Sequence, residues 1–246
     1  MDTRLKIAHV LSIIAFLIII YARYEYITFL SIVFFTSLAF SYMGSIRGRL
    51  VWLGAVLYLT YLSLHYLISA DIEYKFIHFI SLGIISIACF LIFKTLSIRD
   101  ISSKFSEKTP VKTMAAFLAL FVLLILGELP MYFVLKYHLY YRGDLGLFTK
   151  YFLFLFIDVV ILGFLYMVVF VQLLRRKPFG YVLASVVFVM NTLLWLRGYF
   201  LNDLLYRLSM ESINRGEGFS LSPFYVLPFL LSLILSLVSI KYLKAR

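Results

Sequence analysis

A single cysteine, Cys89, stands in 246 residues, and it falls inside an apolar stretch. One cysteine excludes a disulfide within the chain, paired-thiol redox chemistry and a cysteine-rich metal site. Charge is scarce too. Asp, Glu, Lys and Arg make up 14% of the chain, against roughly a quarter in a soluble domain. The chain holds no Walker loop, no His-Glu-x-x-His and no Gly-x-Ser-x-Gly. It has no Asp-rich diphosphate motif, and no lysine in the middle of its last two apolar segments, which argues against a retinal Schiff base. No gap between apolar stretches is long enough for a soluble domain, and neither an internal repeat nor a low-complexity tract is evident in the sequence.

What fills the chain is hydrocarbon. Hydrophobic residues account for 63%, and the mean hydropathy is +1.00. Such a chain cannot cover its apolar surface in water, so lipid must be its solvent. A helix that crosses a bilayer needs about 20 mostly apolar residues. About eight stretches qualify, at 7–22, 26–44, 50–70, 75–94, 113–136, 150–174, 179–200 and 223–243. The expected fold is therefore an all-α, polytopic transmembrane helical bundle, one domain over residues 1–246. The first stretch follows Arg4 and Lys6 and lacks a small-residue cleavage site, so it reads as a retained helix. Leu204, Leu205, Leu208 and Met210 lie among charges between Leu201 and Ser222, a pattern expected of an amphipathic helix on the membrane surface.

The net charge of +11 raises nucleic acid as a partner, but its distribution points to membrane orientation instead. With the N-terminus in the cytoplasm, the inner side carries Arg4, Lys6, Arg47, Arg49, Lys94, Arg99, Lys104, Lys108, Lys112, Arg175, Arg176, Lys177, Lys241, Lys244 and Arg246. The remaining basic residues fall outside, with most of the loop acids: Glu25, Asp71, Glu73, Asp144, Asp203, Glu211 and Glu217. Both termini are expected in the cytoplasm of a multi-pass protein of the cell membrane, its inner basic loops meeting anionic lipid headgroups.

Two carboxylates lie deep inside apolar stretches, Glu128 and Asp158. Each sits about eight residues, roughly 12 Å, from the outer end of its helix. A carboxylate at that depth costs at least about 2.5 kcal/mol, so both should face the bundle interior or a wet cavity. In the third stretch Gly54, Tyr58, Tyr61 and His65 fall on one helix face. Asn191 and Arg197 lie in the outer part of the seventh. Together Glu128, Asp158, His65, Tyr58, Tyr61, Asn191 and Arg197 outline a candidate ligand- or proton-binding pocket open to the outer side. Plainer readings stand beside this one. The carboxylates can pair with Arg197, His65 or a backbone donor simply to fix packing, and the Gly/Tyr/His face can be a packing seam. His65 and His78 lack any metal or haem motif, so no metal and no cofactor is expected.

Arg49-Leu-Val-Trp-Leu-Gly54 with Tyr58 and Tyr61, Gly127-Glu-Leu-Pro130, Phe156-Ile-Asp158 and Arg175-Arg-Lys-Pro-Phe-Gly-Tyr-Val-Leu-Ala184 resemble segments of small polytopic prokaryotic membrane proteins of uncharacterised function. The similarity spans roughly residues 45–185. It implies the same helical architecture, with Glu128 and Asp158 at acidic positions of that family, and it brings no activity. His65 and the segment 201–222 depart from it.

Three functional classes follow. The first is a protein that binds or transports a small solute, cation or proton through an outward-facing polar pocket. The second is a membrane-embedded enzyme acting on a lipid or lipid-linked substrate at the outer leaflet, with Glu128 or Asp158 as general acid or base and His65 as partner. The third is an accessory subunit of a membrane complex.

Overall fold

The computed structural model describes residues 2–21, 27–69, 72–96, 109–141, 153, 156–196 and 223–242. Among these residues there are eight α-helices, one π-helical stretch and no strand. The helices are α1 (Thr3–Tyr21), α2 (Ile27–Tyr42), α3 (Ile46–Ser69), α4 (Ile72–Thr95), α5 (Val111–Tyr141), α6 (Gly163–Leu174), α7 (Pro178–Trp195) and α8 (Pro223–Lys241). The π-helix, Ile157–Leu162, runs directly into α6. Among the described residues four spans are long and apolar enough to cross a membrane: Ile46–Ile68, Tyr74–Thr95, Ile157–Leu174 and Pro178–Trp195. In hydrocarbon every backbone N–H and C=O must be satisfied internally, which a helix does and a lone strand does not. Phe76, Phe79 and Phe90 on α4 and Phe164 on α6 point outward, each at least 60% exposed. An outward apolar surface of that kind suits lipid rather than water. The segment 201–222, residues 97–108, and Arg23, Glu25 and Arg197 lie outside the described residues.

Two helices organise the packing. α3 touches α1, α2, α4 and α7, while α7 touches α3, α6 and α8. α7 is buried at every position from Val182 to Leu193. α3 and α7 run parallel: Gly54 meets Val186 and Val189, and seven residues further on Tyr61 shares a cavity with Leu194 and Trp195. The absence of a side chain at Gly54 is what permits this approach. A Cβ there would lie 2.6 Å from Val189 Cβ and 2.8 Å from the Val186 carbonyl oxygen.

The two central helices are each entered through the same turn. α2 ends with Gly44 at φ 87°, and the Gly44 and Ser45 N–H groups donate to the Ser41 and Phe40 carbonyls. α6 ends with Arg176 at φ 50°, and the Arg176 and Lys177 N–H groups donate to the Leu173 and Gln172 carbonyls. Both are Schellman caps, in which a left-handed residue closes the helix end. The correspondence continues into the helices. Thr60 of α3 donates to the Val56 carbonyl and meets Cys89 of α4; Thr192 of α7 donates to the Phe188 carbonyl and meets Ser236 of α8. Gly44, Thr60 and Val56 are separated from Arg176, Thr192 and Phe188 by one constant interval in the chain. The α2–α3 and α6–α7 hairpins thus share one turn geometry and one register, and they pack together across α3 and α7. The match stops there, because Cys89 of α4 and Ser236 of α8 are offset by a different interval.

Candidate functional site

The site is built where the helix that enters α6 departs from α-helical geometry. A π-helix replaces the start of α6, and the Gly163 N–H reaches back to the Asp158 carbonyl, a five-residue step. Such wide turns occur mostly as single insertions in α-helices, frequently at functional positions. On an α-helix Asp158 and Tyr166, eight residues apart, would be offset by about 80°. The wider π turns take up that offset, and both side chains line one cavity with Leu162.

Asp158 reaches across to α3. The Tyr61 hydroxyl donates to Asp158 Oδ1 at 2.8 Å, and His65 Nε2 lies 3.2 Å from the same oxygen. The Tyr61 and His65 rings also touch, with centroids 4.3 Å apart. Tyr61 and His65 reach one oxygen because they are four residues apart, one helical turn. The His65 and Asp158 side chains keep 21% and 18% of their surface exposed, so the pair is partly shielded rather than sealed. Beside it lies a cavity lined by Tyr61, Phe121, Ile125, Asp158, Leu162, Tyr166, Leu194 and Trp195. It offers about 20 Å³ to the centre of a water molecule, enough for about one water. Among the described residues its walls are aromatic and aliphatic, with Asp158 the one carboxylate.

The other expected site residues divide. Tyr58 is 1% exposed and belongs to the core rather than to the cavity wall. Gly54 serves the α3–α7 contact, so the Gly/Tyr/His face is a packing seam below and a polar site above. Asn191 does not join Asp158. It is fully buried on α7, where its Oδ1 accepts the Tyr166 hydroxyl and its Nδ2 makes no hydrogen bond. Glu128 lies on the α5 backbone, but its side chain, like Arg197, falls outside the described residues. α5 continues through Pro130 to Tyr141. His78 is buried and stacks on Tyr66 with centroids 5.6 Å apart. Among the described residues no three His, Cys, Asp or Glu are grouped to hold a metal ion.

Phe121, Tyr166 and Trp195 were not expected at the site. Aromatics are so common in this chain, at 19%, that none stands out by type. A usable signal was the one-turn spacing of Trp195 from Asn191 and of Leu162 from both Asp158 and Tyr166.

The cluster lies at one end of α3. At the other end, the starts of α3 and α7 and the finish of α4 bring Arg47, Arg49, Lys94, Arg175, Arg176 and Lys177 to one side, where Phe93 meets Phe179. Arg47 and Tyr61 are roughly 21 Å apart along the helix axis. These features define an all-helical chain with four described spans apolar enough to cross a membrane and a partly shielded carboxylate between α3 and the π-helix. Comparison with known protein families, curated proteins and solved structures finds no match.

Proposed function

We propose that this chain is a multi-pass protein of the cell membrane, with about eight spans and cytoplasmic termini, that binds a proton or small cation at Asp158. That binding is coupled to movement of a small solute through a pocket facing the outer side. The observation that carries the reading is the pair of side-chain contacts Asp158 receives from Tyr61 and His65, beside a water-sized cavity. Four further points support it. Ionisable groups within membrane spans are expensive and cluster on ion and proton pathways. The π turn carries the carboxylate, as wide turns at functional positions do. Transporters hold coupling ions where spans distant in sequence meet, and Asp158 on the π-helix meets Tyr61 and His65 of α3. The basic residues gathered at the opposite end suit a cytoplasmic face and anionic headgroups.

The cavity beside Asp158 holds about one water, a size that suits a proton, water or small ion. Glu128 is assigned to the same pathway, one helix away on α5.

The test is proton flux into liposomes holding the purified protein and a trapped pH indicator. Wild type is expected to carry protons down an imposed gradient. Asp158→Asn is expected to abolish the flux while keeping expression and unfolding temperature near wild type. A wild type that moves no protons, with an Asp158→Asn variant that merely unfolds earlier, would reduce Asp158 to a packing residue.

A further inference from the structure

The α2–α3 hairpin carries a groove that plays no part in the carboxylate site. Its walls are Ile32, Val33, Phe40 and Val51, and Ser45 and Arg47 stand at one end. The groove encloses about 970 Å³, part of it open to the surroundings. Ile32 and Phe40 are 59% and 50% exposed, so the apolar walls face outward rather than into the bundle. The hydroxyl of Ser37 is already spent on the Phe34 carbonyl, which leaves the middle of the groove effectively apolar. From Ile32 to Phe40 it runs roughly 12 Å along α2. Polarity is therefore graded: hydrocarbon along the length, charge and hydroxyl at the mouth.

Arg47 is the one charged residue in the groove's described lining, and no Asp or Glu occurs in residues 27–69. The mouth is also the N-terminus of α3, the positive end of a 24-residue helix dipole. We propose that this groove holds one anionic phospholipid, with an acyl chain along Ile32–Phe40 and the phosphate on Arg47. A basic pocket between spans at the cytoplasmic side is the setting in which such headgroups bind. A second copy of the chain fits less well. A two-fold contact through this face would bring two all-positive mouths together.

The experiment is native mass spectrometry of the full chain in neutral detergent, with palmitoyl-oleoyl phosphatidylglycerol or phosphatidylcholine at equal concentration. Wild type is expected to retain phosphatidylglycerol about fivefold better, the ratio one arginine near a headgroup supplies. Arg47→Gln should bring phosphatidylglycerol down to the phosphatidylcholine level. Thr36→Trp, which plugs the groove from an exposed position, should lower retention of both lipids. Should Arg47→Gln fold poorly, Thr36→Trp carries the test alone. Equal retention of the two lipids by wild type overturns the proposal. So does phosphatidylglycerol retention that Thr36→Trp leaves unchanged, or a dimer peak in place of the lipid adduct.

Discussion

The contact between Tyr61 and Asp158 has a worth that can be estimated and measured. At 2.8 Å it lies in the normal range for a hydroxyl donating to oxygen, while His65 at 3.2 Å is at the long edge. A hydrogen bond to a charged group contributes about 1.5–3 kcal/mol, and a neutral one about 0.5–1.5 kcal/mol. Asp158 keeps 18% of its side chain exposed, so water replaces part of a lost partner and the lower end applies, about 1.5 kcal/mol for Tyr61→Phe. Asp158→Asn retains an acceptor oxygen of the same reach but removes the charge. In that background Tyr61→Phe should cost only about 0.5 kcal/mol. The double-mutant cycle therefore predicts a coupling of about 1 kcal/mol, a factor of about five in the unfolding constant. Unfolding in mixed detergent–SDS micelles can be followed by tryptophan fluorescence. The chain has two tryptophans, Trp195 on the cavity wall and Trp52 stacked on His9. In a Trp52→Phe background the signal comes from the site alone. A coupling below about 0.3 kcal/mol, the scatter of independent sites, would refute the bond and with it the assembly of the site.

Gly54→Ala places a methyl 2.6 Å from Val189 Cβ, so it should destabilise the chain by about 1–3 kcal/mol in the same unfolding assay. Gly83→Ala, with nothing within 4 Å of the added carbon, should be neutral or slightly stabilising, and equal losses in the two variants would sink the close α3–α7 contact. Arg176 holds a left-handed backbone at φ 50°, so Arg176→Gly should raise stability by about 0.5–1 kcal/mol; a drop would show that the turn depends on the arginine side chain. For orientation, cysteines introduced at residues 104 and 176 should be shielded from an impermeant reagent in intact cells, and one at 144 should react. Labelling of all three would refute the eight-span arrangement.

The helical nature of the chain was legible because hydrocarbon leaves the backbone one solution, and apolar length alone reveals it. Asp158 was legible for a related reason: a carboxylate in an apolar span is too costly to be incidental. His65 and Tyr61 followed from helical spacing on α3. Other parts of the site were not legible. Tyr58 and Tyr61 differ by three residues and share a face, yet one is core and the other meets Asp158. That difference depends on which neighbour lies opposite at each height. Asn191 was expected in the pocket with the carboxylates, and its Oδ1 accepts from Tyr166 instead of meeting Asp158. Phe121 and Trp195 became cavity walls only because α5 and α7 both pack on α6.

The sequence by itself determined the solvent, the all-helical class and the expensive carboxylate, because each follows from transfer free energies that act residue by residue. Tertiary structure decided the rest: the parallel packing of α3 and α7 with its contact at Gly54, the π turn, and the meeting of Asp158 with Tyr61 and His65. Those depend on backbone geometry and on the register between helices distant in sequence. Schellman caps at Gly44 and at Arg176 show why. Two turns of the same shape can be written in different residues, so their kinship becomes visible only when the chain has folded.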